Sequence, residues 1–464
     1  MAGLRKLTTA FISGKLLLLL VACASPGPGY DTSTQILFDQ YSHPSDSWLN
    51  RALEHVVLRL TRWDGIYFAS SSTRGHVYEQ EWAFSWVVAK ITSAVSRVFL
   101  SPLPLSPIVS HALAGVIVSH ISHLLAVVLL YLLTNNLVPT EQNIKRHVAF
   151  TAACLHIVSP AGVFLSAPNA ESTFALFNFA GMLSYVYASQ NRLDAKATAS
   201  AAFWTIAAGT SFGIATTIRV NGLLSGIIFA WDAVLALAHP STTLSSSHRT
   251  TVLAGTILAG TLVAVGYAAP QAVAYMEYCT NGNTRPWCTR IPPSIYSWVQ
   301  VHYWGVGFLR YWTLNNLPLF LLAAPMLAML LATGHLGLMQ PESLLQMITP
   351  DGSKTASKDL IIFRQVLPRL VLPQIVLAVM ATTSFHVQIV NRISSGYPVW
   401  YIVLAVAIVS ATKTGSSTSK TEKEDTQQHL DTPPNADRLE SVVRGMVMYA
   451  IIQGGLYASF LPPA

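Results

Sequence analysis

Apolar residues in this chain come in long runs separated by short polar stretches. The runs cover residues 7–25, 108–134, 148–167, 172–189, 200–217, 220–238, 251–274, 317–334, 370–391, 396–412 and 445–460. Most approach the ~20 residues that a helix needs to cross a bilayer. Lipid offers no partner for unpaired backbone groups, and the alternation of a membrane barrel is missing, so the runs are read as helices. The pattern predicts an all-α polytopic membrane protein of about eleven transmembrane helices. Two stretches depart from it. In 82–100, "WAFSWVVAKITSAVSRVFL", a helical period puts Val87, Ile91, Val95 and Val98 on one stripe and Lys90, Ser93 and Arg97 opposite. Such a helix is expected to lie in the membrane interface rather than to span. Residues 413–440 are polar and of low complexity, and are expected to form a disordered cytosolic insert.

Composition sharpens the membrane reading. Of 464 residues, 52% are hydrophobic and only 11% charged, against roughly 25% charged in soluble domains. The net charge of +7 does not point to nucleic acid, because the basic residues are scattered through connections between runs. A cytosolic N-terminus with Arg5 and Lys6, followed by an uncleaved first helix 7–25, puts 26–107 outside the cytosol. Alternation then places Lys145-Arg146, Arg192/Lys196, His248-Arg249, Lys354/Lys358/Arg364/Arg369 and Lys413/Lys420/Lys423 on the cytosolic side. Counting 82–100 as a span would reverse every later loop. Cys279 and Cys288 fall in a non-cytosolic loop, 276–316, separated by turn-forming residues. A disulfide there fits an oxidising compartment, the alternative being two free thiols. Cys23 and Cys154 lie in apolar runs and read as small buried hydrophobes.

The same topology gathers scarce polar residues on the non-cytosolic face. They include Arg62, Trp63, Asp64, Tyr67, Glu79 and Glu81 in the first loop, and Glu171 in the turn "SAPNAES". Arg219 and Asn221 follow in "IRVNG", then Trp304 and Arg310 in an aromatic loop, then Arg392. Each has an ordinary explanation: a cap, a solvated acid, an arginine reaching the headgroups, an aromatic belt. Their convergence suggests a site. Sugar transfer from a lipid phosphate needs a carboxylate to take the acceptor's proton. It also needs cations at the departing phosphate, which suits the fixed fork of arginine. A transporter would place charges or broken helices near the midplane, whereas these candidates lie in loops or at helix ends. A lipid or solute transporter and a non-catalytic scaffold remain the alternatives. With no compact Asp-x-Asp and no HExxH, neither a metal nor another cofactor is expected.

Several stretches together resemble a known family. They are "RWDGIYF", "YEQEWAFSW", "SPAGVFLSAPNAESTFAL", "IRVNGLL", "HYWGVGFLRYWTLNNLPLFLLAAPM", "QIVNRISSGYPVWY" and "MYAIIQGGLYASFLPPA". In order from about residue 50 to the C-terminus, they resemble the PIG-V-like family in its fungal form, the second mannosyltransferases of glycosylphosphatidylinositol (GPI) anchor assembly. The resemblance implies a membrane enzyme of the endoplasmic reticulum with GT-C-type architecture. It implies dolichyl-phosphate mannose as donor, the mono-mannosylated GPI precursor as acceptor, an inverting transfer giving an α1,6 bond, and a small membrane partner subunit. The implied base falls on Asp64, with Glu79 or Glu81 as alternative carriers. Arg219 and Arg310 are then expected at the phosphate, Trp63, Tyr67 and Trp304 along the sugar cleft, and Arg62 as the residue tuning Asp64. Glu171, Asn221 and Arg392 complete the expected substrate contacts. The chain departs from many relatives in Ser85-Trp86, where Phe-Pro is common, and in Asn169, where Tyr is common.

Overall fold

The computed structural model describes residues 2–27, 29–40, 47–238, 246–280, 285–349, 357–421 and 434–461. Among them every regular element is helical. Each of the eleven apolar runs contains a helix, yet their bounds and character differ from expectation. Among the described residues, seven helical segments are long and apolar enough to cross a bilayer, or eight if the bent pair Val387–Gly396 and Val399–Thr412 is one span. That criterion does not reach eleven. Helix Glu171–Arg192 shows why: its buried side includes Ser172, Thr173, Asn178 and Ser184, so interior polar groups dilute its hydropathy.

Other boundaries moved where local chemistry opposes a helix. The run 148–167 gives helix Gln142–Ile157 and then an irregular, buried turn before Glu171. The run 220–238 begins as a 3₁₀ stretch, Val220–Gly226, where Gly222 approaches the backbone of Ala215 and Thr216 too closely for a Cβ. The expected span 370–391 starts much earlier, as helix Ser357–Thr383. Lys358, Arg364 and Arg369, expected in a loop, therefore sit on that helix. The chain then turns through 384–398 and enters helix Val399–Thr421 at a bend of 76°. Of the expected insert 413–440, residues to Thr421 continue that helix and those from Pro434 begin the last one, Pro434–Ala458. Residues 422–433 lie outside the described residues.

The stretch 82–100 forms helix Trp86–Val95 and a π-turn, Ser96–Leu100. Ser85 caps it by accepting from the Val88 amide, and its hydroxyl also donates to the Thr217 carbonyl. One residue thus starts the helix and docks it beside Arg219. Its buried face carries Val88, Ala89, Thr92, Ser93 and Ser96, while Val87, Ile91 and Val95 are half-buried and Val98 exposed. Ser93 therefore faces protein, not water as the two-sided pattern implied.

Helices Pro107–Leu137, Glu171–Arg192, Thr198–Ile218 and Ser246–Cys279 pack successively side by side. The third crosses the fourth on small residues: a Cβ on Gly213 would stand 2.6 Å from the Leu262 carbonyl, and one on Gly266 would meet Gly213 itself. Lipid supplies no hydrophobic drive between helices, so such close approach is how they gain contact.

Two ion networks mark the ends of helix Glu171–Arg192. At its start Glu171 meets Arg219 and Arg392; at its end Arg192 meets Asp232, which Arg369 and Tyr185 also contact. Glu171 and Arg192 stand twenty-one residues apart, which at 1.5 Å rise is about 32 Å of helix, close to the hydrocarbon thickness of a bilayer.

Candidate active site

Four charged side chains from four distant segments meet in one network. Asp64 opens helix Asp64–Arg74, where the helix dipole favours a carboxylate. Its Oδ2 accepts from Arg392 Nη2. The Nε of Arg392 donates to Glu171 Oε1 at 2.6 Å, and Arg219 Nη1 reaches the same oxygen at 2.7 Å. Two carboxylates and two guanidiniums thus balance in charge. Exposure separates their roles. Glu171 is buried, with a side chain 1% exposed, whereas that of Asp64 is 28% exposed. Arg219 and Arg392 lie between. Glu171 fixes two arginines; Asp64 presents the accessible carboxylate.

The segments that carry these groups are locked locally. The turn before Glu171 is threaded between helices: Pro168 lies against Gly115 and Gly65, where added Cβ atoms would approach it at 2.6 and 3.5 Å. Ser119 donates to the Ala167 carbonyl, and Ser172 to the Leu165 carbonyl. Lys15, a charged residue inside the first helix, donates at 2.8 Å to both the Leu165 carbonyl and the Ser166 hydroxyl. The Arg392 loop is tied by Asn178 to the Gly396 carbonyl, by Asn391 to Tyr449, and by Tyr397 to the Asn221 carbonyl. Asn221 Nδ2 in turn donates to the Tyr397 hydroxyl, which joins the Arg219 and Arg392 segments.

An aromatic wall runs away from Asp64. Tyr67, one turn along the same helix, stacks on Phe84 with ring centroids 4.4 Å apart, and Trp304 meets Phe84 edge-on at 5.8 Å. Burial, then the Asp64 and Glu81 charges, push the Tyr67 phenol above its usual value. A narrow cleft lined by Phe84, Trp86, Tyr267, Gln271 and Tyr296 reaches Arg219.

Several expected members lie elsewhere. Arg62 does not contact Asp64. It is buried over the Phe460 ring at 5.1 Å, and among the described residues no nitrogen of its guanidinium has a hydrogen-bond partner. Burial, then neighbouring Arg59, lower its pKa to about 10. Arg392 takes the place beside Asp64 that Arg62 was expected to hold. Trp63 packs against Phe460 as well, with centroids 5.1 Å apart, rather than lining the wall with Tyr67. Arg310 is exposed and outside the network.

Glu79 and Glu81 are each occupied by their own partners. Glu81 is buried, paired with Arg74 at 2.6 Å, and accepts from the Val77 and Tyr78 amides. Burial raises its pKa, but Arg74 and the two amides outweigh it and hold the carboxyl below its usual range. Glu79 accepts from the indoles of Trp287 and Trp298 and from Tyr303. These bonds tie the first loop to the segment in which Cys279 and Cys288 form a disulfide.

Chemically, the network offers one reachable carboxylate beside two rigidly held guanidiniums with donors to spare. That suits proton removal next to an anionic leaving group. The whole chain bears on this arrangement, and so does its similarity to known proteins. Residues 4–464 match the model of the family described as mannosyltransferase (PIG-V). The chain is 40% identical to GPI mannosyltransferase 2 of Aspergillus oryzae, over 99% of this chain and 96% of that one. It is 40% identical to the protein of that name from Gibberella zeae, over 99% and 97%, and 28% identical to that of Candida albicans, over 99% of each. Among solved structures, an oligosaccharyltransferase of Archaeoglobus fulgidus is similar at a TM-score of 0.44 and 11% identity, over 97% of this chain and 55% of that one. The chain spans about half the length of that protein, and so distant a likeness adds nothing to the functional reading.

Proposed function

The chain belongs to the mannosyltransferase (PIG-V) family, and we propose that it adds the second mannose, through an α1,6 bond, to the GPI-anchor precursor. The donor in this reading is dolichyl-phosphate mannose, and the reaction takes place on the lumenal face of the endoplasmic reticulum membrane, with the N-terminus cytosolic. The observation that carries the mechanism is the Asp64–Arg392–Glu171–Arg219 network.

Asp64 takes the proton of the acceptor hydroxyl as its oxygen forms a bond to the mannose anomeric carbon. The bond from that carbon to the phosphate oxygen breaks, and its electron pair leaves with dolichyl phosphate. Arg219 and Arg392 face the charge that collects on this phosphate. Glu171 keeps both guanidiniums in place, so little reorganisation is needed when that charge develops. Tyr67, Phe84 and Trp304 offer apolar ring faces for the sugars. A small membrane partner subunit belongs to this reading through the family resemblance alone.

The test is transfer of labelled mannose from dolichyl-phosphate mannose to the precursor, in membranes lacking the endogenous enzyme. Asp64→Asn is expected to slow transfer about 10²–10⁴-fold, the usual worth of general-base help. Arg392→Ala is expected to cost about 10²–10³-fold, as for loss of a charge-stabilising donor. Near-normal transfer by Asp64→Asn would remove the base from the mechanism.

A further inference from the structure

We infer that Tyr457, on the last helix, is a positioning residue that sets the backbone turn from which Asp64 projects. The inference rests on the reading of Asp64 as the base. Trp63, immediately before Asp64, has φ 49° and ψ −120°. A bulky side chain disfavours positive φ, so such a residue persists only where its surroundings hold it. Tyr457 supplies that hold. Its hydroxyl lies 2.9 Å from the Leu60 carbonyl and 2.9 Å from the Arg62 carbonyl, and accepts from the Arg62 amide at 3.3 Å. One buried oxygen therefore meets three backbone groups on the approach to Trp63. Gly65, just beyond Asp64, closes the same turn through its amide to the Arg62 carbonyl, and a Cβ there would stand 3.3 Å from the Tyr457 hydroxyl.

Phe460 completes the template, with Trp63 on its ring and the Arg62 guanidinium above it. No bond from Tyr457 to Asp64 is needed. The hydroxyl acts through the main chain, and what it determines is the direction in which the Asp64 helix begins. Elsewhere along 384–398 the partner arginine is tied separately, so misplacing the turn moves Asp64 relative to Arg392 rather than moving both together.

The test uses the full chain in membranes or detergent, with Tyr457→Phe, Asp64→Asn and the double variant. Tyr457→Phe is expected to lower kcat about tenfold, to leave the donor KM within about twofold, and to speed amide exchange in the peptide holding residues 60–66. In the Asp64→Asn background, Tyr457→Phe is expected to cost nothing further, since residues acting as one unit are not additive. Unchanged exchange, unchanged kcat, or a loss that multiplies fully onto that of Asp64→Asn would each overturn the inference. If Asp64→Asn alone retains transfer, the base reading fails and this inference falls with it, whatever the exchange shows. Should Tyr457→Phe fail to fold, Gly65→Ala, which presses on the same hydroxyl, is expected to give the same pattern, and wild-type kcat in that variant overturns the inference.

Discussion

Asp64 and Arg62 are two residues apart, yet they serve different neighbours: one meets Arg392 and the other lies over the Phe460 ring. Arg62 was expected to tune Asp64, but across the turn at Trp63 its guanidinium packs on Phe460 instead. The acids of the first loop show the same separation. Asp64, Glu79 and Glu81 look equivalent as letters, but partners distinguish them. Glu81 is held by Arg74 and two amides, Glu79 by two indoles, and only Asp64 joins the arginine network. Because the Glu81 carboxyl titrates below its usual range when folded, it stabilises the fold above the unfolded value of about 4.3. That contribution is lost as pH falls through the folded value. Glu81→Gln is expected to cost about 1–3 kcal/mol at pH 7. In thermal unfolding from pH 7 down to pH 3, the gap to wild type should narrow on acidification. A gap independent of pH would contradict the assignment.

Helices were legible from apolar runs, while the turns that carry chemistry were not. The segment 158–170 reads as apolar enough to continue a helix, and becomes an irregular buried turn because Pro168, Gly115 and Gly65 interlock and Lys15 and Ser119 satisfy its carbonyls. Nothing near Lys15 in the sequence accounts for a charge inside the first apolar run, and its purpose appears once the turn lies beside it. Helix-to-helix contact is likewise silent in the sequence, although small residues recur at Gly209 and Gly213 and at Ala259 and Gly266. At that crossing Gly213→Leu has no space, with the Leu262 carbonyl 2.6 Å from the added carbon. It is expected to destabilise by about 1–3 kcal/mol, and a thermal midpoint equal to wild type would show that the helices do not cross so closely. Gly445, where a Cβ meets nothing within 4 Å, provides the control.

Across the molecule, the two ion networks are anchored on one helix at Glu171 and Arg192, about 32 Å apart along its axis, the first holding Asp64 and the second Asp232. On the proposed topology the first network and the Cys279–Cys288 segment face the lumen, and 422–433 the cytosol. A glycosylation sequon inserted between Cys279 and Cys288 is expected to be glycosylated and one at 422–433 is not; the reverse outcome would invert the topology. What the sequence by itself determined is the membrane class, the succession of helices and the family, because hydrophobic length and long ordered motifs are local and additive. It also grouped Asp64, Glu171, Arg219 and Arg392 through the alternation of loops. Only the tertiary structure decided which charges meet, since pairing depends on the crossing of helices and on the course of buried turns. That is why Arg392 rather than Arg62 stands beside Asp64, and why Tyr457, far along the chain, holds the turn before it.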